Sequence, residues 1–179
     1  MVGMADTSWR KILDDPDEGA RMLVREHGAR LYATAFRLCG NETDAEDLAF
    51  RTMERAIERI RSFDGRSLFF TWLCSIMANF FRMDMRRKGA NALVFGEEPS
   101  DETADYSTSN AVERTDEAQV VRDAVARLPP NFRAVVTLVF FDGMSVVDAA
   151  KALSTPEGTV HYWLHEAKKR IKTALSGYV

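Results

Sequence analysis

The stretch Ser62–Lys88, SFDGRSLFFTWLCSIMANFFRMDMRRK, gathers Phe63, Phe69, Phe70, Trp72, Phe80 and Phe81 and closes on Arg86-Arg87-Lys88. A membrane segment, a core helix or a surface that grips nucleic acid could each be written this way. Its longest apolar run, Leu68 to Phe81, is interrupted by Thr71, Ser75 and Asn79 and is shorter than the ~20 residues that cross a bilayer. Membrane insertion is therefore excluded. After the Asp64-Gly65 turn, Ser67 can cap a helix in which Leu68, Trp72, Ile76, Phe80 and Met83 share an inward face. Phe63 then lies in the turn and Phe70 falls off the stripe, while Asn79, Arg82, Arg86 and Arg87 add polar donors along the same helix. Aromatic faces with arginines nearby are how unpaired strands are held, although a basic terminus also complements a helix dipole.

The preceding residues read as helix throughout. PDEGARMLVREHG opens with Pro16 and two acids, and ARLYATAFRLCG places Leu31, Ala35 and Leu38 on one face before stopping at Gly40. Thr43 and Glu46 form a capping box, followed by a stripe of Leu48, Thr52, Ala56 or Ile57, and Ile60. Further on, Val120, Val121, Ala124, Val125 and Leu128 make an amphipathic stripe stopped by Pro129-Pro130, and a run from Phe132 to Phe141 ends at Asp142-Gly143. A short helix capped by Ser145 with Asp148, a break at Ser154-Thr155 and a long helix opening at Pro156 complete a helix-turn-helix pattern.

Charge divides the chain. Residues 1–95 carry 15 Lys/Arg against 14 Asp/Glu, residues 96–117 one against eight, and residues 118–179 eight against five. The net charge of −3 therefore conceals one acidic stretch, GEEPSDETADYSTSNAVERTDE, poor in large apolar residues and without helical periodicity. The expected fold is all-α: two small helical domains, 1–95 and 118–179, joined by an acidic flexible linker, 96–117.

At 46% hydrophobic and 28% charged the composition is that of a folded soluble protein. The N-terminus shows no signal-peptide core, and Cys39 and Cys74 are too few for a disulfide framework, so a reducing cytoplasm is expected. No P-loop, dinucleotide fingerprint or nucleophile elbow appears. Neither an enzyme nor a cofactor is expected. His161 and His165 have the spacing of two helical zinc ligands, but no third ligand is evident and no metal is expected.

The order of motifs is more specific than any one of them. Asp44-Ala45-Glu46-Asp47-Leu48, Thr71-Trp72-Leu73, Leu128-Pro129, Asp142-Gly143-Met144-Ser145 and Gly158-Thr159-Val160 follow one another at a spacing that resembles the extracytoplasmic-function (ECF) group of bacterial RNA polymerase sigma factors, from about Gly28 to about Leu175. The resemblance implies one domain that binds core polymerase and opens the −10 promoter element, and one that reads the −35 element. Core polymerase, promoter DNA and an anti-sigma protein are the partners it implies.

Carried onto this chain, the resemblance assigns Asp44, Glu46, Asp47 and Leu48, with Arg51 and Arg55, to the polymerase surface; an acidic helix start favoured by the dipole also explains the acids. Asn79 matches a pocket for a flipped base, and the loop carrying Phe63, Arg66 and Ser67 matches the one that gives that pocket its specificity. Phe70 is a stacking candidate, and Arg82, Arg86, Arg87 and Lys88 would hold phosphates. Ser145, Thr159, His161, Tyr162, His165, Lys168 and Lys169 are the corresponding −35 candidates. The acidic linker suits either mimicry of nucleic acid in a polymerase channel or a plain spacer.

Three departures from the family pattern stand out. Phe50-Arg51 replaces an expected Gln-Glu pair, Met83 replaces an acid with Asp84 one place later, and His161–Glu166 replaces a basic, small-residue pattern. On a helical wheel Val160, Leu164, Ala167 and Ile171 point inward, leaving Tyr162, His165, Glu166 and Lys169 outward. Glu166 is repelled by phosphate, yet could accept from a cytosine amino group. It motivates an alternative: a sigma-like decoy that binds an anti-sigma protein without driving transcription.

Overall fold

The computed structural model describes residues 9–88 and 117–176; the expected acidic linker lies almost wholly outside them. Every regular element among the described residues is helical. The first domain comprises α1 (Trp9–Asp14), α2 (Pro16–Leu23), α3 (Ala29–Cys39), α4 (Glu42–Arg59) and α5 (Phe69–Arg87). In the second are α6 (Glu117–Ala126), α7 (Pro130–Val136), α8 (Val146–Ala152) and α9 (Glu157–Leu175).

Local chemistry explains most boundaries. Asp15 caps α2 by accepting from the Asp17 and Glu18 amides at 3.0 and 3.1 Å, and Pro16 fills the first helical position. α1, which the sequence reading does not anticipate, packs on α2 at Gly19. A Cβ there would stand 2.4 Å from the Ile12 Cα. α3 ends on Gly40 at φ 79°, a left-handed cap that glycine adopts without strain. The cap of α4 is Asn41, two places before the expected Thr43: its Oδ1 accepts from the Asp44 amide at 2.9 Å.

α3, α4 and α5 pack together, burying Leu31, Ala35 and Leu38 against Leu48, Thr52 and Ala56, and against Leu73, Met77 and Phe81. The buried Thr52 hydroxyl donates to the Leu48 carbonyl at 2.7 Å, so it costs little inside a core. In α5 the inward face differs from the expected stripe. Phe69, Phe70, Leu73, Cys74, Met77, Ala78, Phe81 and Met85 are buried, whereas Leu68 and Met83 are exposed. Nor does Ser67 cap the helix; Leu68 occupies that position without a side-chain bond.

The second domain centres on Phe132, Val135, Leu138, Leu153, Val160, Trp163 and Ala167. Arg133 is buried among them and donates to the Ala126 carbonyl at 2.8 Å, tying the end of α6 to α7. The expected helix from Phe132 to Phe141 widens after Val136 into a π turn, Thr137–Phe141, closed by the Asp142 amide on the Thr137 carbonyl at 3.0 Å. Ser145 caps α8, accepting from the Asp148 amide at 3.0 Å. Ser154 takes φ 48° at the break before α9, completing the helix-turn-helix.

The two domains touch. α8 lies on α5, and α3 lies on α7 and the π turn; buried apolar residues of both domains form one continuous cluster.

Candidate functional site

Two surfaces carry the polar side chains singled out above. On α5, Thr71, Ser75, Asn79, Arg82 and Arg86 recur at three- and four-residue intervals, making one stripe of about 22 Å at 1.5 Å per residue. Asn79 and Arg86 are exposed and Arg82 is half-buried; burial and then the neighbouring Arg86 lower the Arg82 pKa. Arg87 and Lys88 are exposed beyond them. In the loop before α5, Arg66 and Ser67 are exposed, and Arg66 pairs with Asp64 at 3.3 Å.

The aromatic candidates sit elsewhere. Phe63 is 7% exposed, edge-on to Trp9 and Phe69 at 5.3 Å each, because α1 closes over the turn. Phe70 is 6% exposed under the Arg30 guanidinium, which lies 3.7 Å from its ring centroid. Neither presents a stacking face in this arrangement. The loop instead exposes Leu68, at 67%.

The start of α4 presents Glu46 and Asp47 outward, but Leu48 is turned into the core at 1% exposure, which corrects its placement on the polymerase surface. Lys88 donates to Asp44 at 2.6 Å, and this bond, with that from Asn41, holds the Asp44 pKa below the usual carboxylate value. Arg51 is gripped by Asp84 and lies 5.0 Å from the Phe80 ring centroid; Arg55 pairs with Glu58 at 3.2 Å. Phe50, 58% exposed, stands on this helix unmatched by any inward role. Its place after Leu48 and Ala49 on the turning helix was the available signal.

On α9, His161, Tyr162, His165, Lys168 and Lys169 are exposed, Thr159 and Glu166 are half-buried, and Val160, Leu164 and Ala167 face inward with Trp163. Lys168 rests 5.2 Å from the Phe140 ring centroid. Ser145 is engaged as the helix cap and donates to Asp148 Oδ2 at 2.7 Å. Among the described residues no helix is long and apolar enough to cross a membrane, and no group of three or more His, Cys, Asp or Glu could hold a metal ion.

These surfaces fall inside two recognised regions. Residues 23–91 match sigma-70 region 2 and residues 118–171 match sigma-70 region 4. The ECF RNA polymerase sigma factor SigL of Mycobacterium tuberculosis is 31% identical over 156 residues, covering 87% of this chain and 88% of its own. SigW of Bacillus subtilis is 27% identical over 155 residues, covering 82% and 83%. SigE of Mycolicibacterium smegmatis is 29% identical over 86% of this chain, which spans 60% of that relative's length. Among solved structures, the sigma factor RpoE in complex with the anti-sigma factor NepR from Bartonella quintana superposes with a TM-score of 0.65 at 26% identity, over 87% of this chain and 96% of that one. CnrH in complex with the cytosolic domain of CnrY shares the fold, with a TM-score of 0.64 at 21% identity over 95% and 96%. The protein is a member of the ECF family of RNA polymerase sigma factors.

Proposed function

We propose that the chain binds bacterial core RNA polymerase, directs it to promoters and opens the −10 region, while an anti-sigma protein restrains it. The observation that carries this reading is the pair of exposed polar faces on separate domains: the Asn79–Arg82–Arg86 stripe on α5 and the His161–His165–Lys168–Lys169 face on α9. The first combines an amide for a base edge with guanidinium groups for phosphates, and the second is a helix-turn-helix surface of the kind that enters a major groove. Flipping a base from the stack costs a few kcal/mol, which contacts on the α5 stripe would offset. Glu46 and Asp47 supply the polymerase-facing acids. The cytoplasm is the compartment this role requires.

Phosphate neutralisation supplies much of DNA affinity, and a chain of net charge −3 should bind promoter DNA weakly without core enzyme. Run-off transcription from fragmented source-genome DNA, with the purified chain and a bacterial core polymerase, tests the proposal. Discrete transcripts sharing upstream elements are expected. Silence, with core binding verified and a control factor active, would favour the decoy reading, for which the half-buried Glu166 on α9 is the supporting observation.

A further inference from the structure

Four aromatic rings, from Trp9, Phe63, Phe69 and Trp72, close the foot of the loop before α5. Phe63 meets Phe69 edge-on at 5.3 Å and Trp72 at 5.4 Å, and Phe69 stacks on Trp72 at 5.6 Å. Phe69 and Trp72 belong to α5, whereas the further ring on Phe63 is Trp9, edge-on at 5.3 Å, from α1. That helix also touches the short helical turn Ile60–Ser62 that leads into the loop. Trp9 precedes the residues that match sigma-70 region 2, 23–91, and reaches the loop only through the fold.

Above these feet the loop is folded on itself. Asp64 Oδ1 accepts from the Arg66 amide at 3.0 Å, the Asp64 carboxylate pairs with the Arg66 guanidinium at 3.3 Å, and Gly65 takes φ 73°, a left-handed turn that glycine adopts without strain. Ser67 is exposed and Leu68 is 67% exposed, although the next residue, Phe69, is buried. A hydroxyl and an apolar side chain are thus held out where α5 begins. The polar stripe of that helix starts at Thr71, three residues later.

We propose that Trp9 is a positioning residue for base selection: by closing on Phe63 it fixes the loop Asp64–Leu68, so that Arg66, Ser67 and Leu68 meet an unpaired base in a single arrangement. The selective role rests on the function proposed above; the hold on the loop does not. A loop already in its bound shape need not be ordered during binding. A loop free to re-pack accommodates several bases, as flexible, loop-rich surfaces accept several partners. Trp9 therefore acts on which base is accepted without touching one.

The test uses the full chain bound to bacterial core polymerase and a single-stranded DNA pool of randomised sequence, from which bound strands are recovered and sequenced. Wild type should enrich strands that share bases at particular positions. Trp9→Ala should bind the enriched strand about 5- to 30-fold more weakly, the ordering cost of one backbone residue, and should show a flattened base preference. Its core affinity and the salt slope set by phosphate contacts should stay at wild-type values. Trp9→Phe, which keeps an aromatic edge on Phe63, should restore the preference, whereas a merely structural loss would weaken all strands alike. Hydrogen exchange of the loop amides in the free chain should quicken in Trp9→Ala and not in Trp9→Phe. Should Trp9→Ala fail to fold, Gly19→Ala, which displaces α1 and leaves Trp9 in the sequence, carries the comparison. A natively helical Trp9→Ala with wild-type base preference or wild-type loop exchange would overturn the proposal, as would a wild type that enriches no base. Run-off transcription separates the two readings: a preference lost in Trp9→Ala while wild type with bound core gives no transcript supports the positioning role and sinks the promoter reading. Productive transcription with the preference unchanged in Trp9→Ala does the reverse.

Discussion

Arg51 on α4 and Asp84 on α5 form a two-point ion pair, with Nη1 3.3 Å from Oδ1 and a second contact from Nη2 to Oδ2. Both side chains are largely shielded, at 27% and 22% exposure. Asp47 adds attraction from 2.8 Å, although the Arg51 Nε–H is not aimed at it. The two residues that depart from the family pattern thus answer each other. Arg51 joins helices instead of standing free on the outer surface. Charge-assisted bonds of this kind contribute about 1.5–3 kcal/mol. Asp84→Ala and Arg51→Ala should each lower unfolding free energy by roughly 1–2 kcal/mol, and the double variant should show a coupling near 1 kcal/mol in urea melts. Additive losses would mean the pair contributes nothing jointly.

The Asp44–Lys88 bond predicts a pH response whose sign is fixed by the direction of the shift. The folded Asp44 pKa is lowered from 3.8, first by the Lys88 hydrogen bond. Its stabilising contribution is therefore complete above that ordinary value and is lost as pH falls through the lower folded one. In Lys88→Met the Asp44 carboxyl should titrate at higher pH, seen in its side-chain carbon resonance. A resonance that titrates as in wild type would show that Lys88 does not hold the carboxylate.

Asn79 and Arg86 occupy one stripe but should fail differently. Arg86→Ala is expected to weaken promoter complexes uniformly across sequences and to flatten the salt dependence by about one unit of slope. Asn79→Ala should leave that slope alone and reduce opening of the −10 region, read by permanganate footprinting, by roughly 5- to 150-fold for about 1–3 kcal/mol of lost base recognition. Identical behaviour of the two variants would contradict a division between phosphate and base contacts.

Ser145→Ala distinguishes a cap from a DNA contact. The serine accepts from Asp148 N and donates to its carboxylate, so the substitution should cost about 1 kcal/mol of stability without changing the salt slope of −35 binding. A changed slope at unaltered stability would return Ser145 to the phosphate contacts.

Gly19→Ala should detach α1. The added Cβ would sit 2.4 Å from backbone of Ile12, a clash no rotamer relieves, at a cost of about 1–3 kcal/mol. Trp9 then leaves Phe63, so tryptophan fluorescence should shift to the red at low denaturant. Unchanged emission and stability would show that α1 tolerates the displacement.

Where neighbours along the chain decide the structure, the sequence was legible. Pro16, Gly40, the Ser145 cap and the break at Ser154-Thr155 all act within one helical turn, and the α9 face followed from ordinary periodicity, lacking only Trp163. α5 was read about one position out of phase, because Phe69 through Met77 are apolar at nearly every place and periodicity has no contrast there. Its true face is set by α4 on one side and α8 on another. Phe63 looked like a turn aromatic because its cover, Trp9, belongs to a six-residue helix too short to announce itself. Arg51 with Asp84, and Thr34 with Asp142, are separated by 33 and 108 positions; no local pattern reports such pairs.

The π turn at Thr137–Phe141 makes chain length an angular setting. Each α-helical residue turns the chain by about 100° and advances it 1.5 Å, whereas the wide turn lets the chain take up one extra residue by bonding Asp142 back to Thr137. Deleting a single residue there would swing the Asp142 carboxylate to another side of the helix, away from Thr34, while barely shortening it. Because Leu138 of the turn is itself buried in the second domain's core, a one-residue change there would re-register that core as well as the contact with α3, so the length of this turn is fixed from two sides at once.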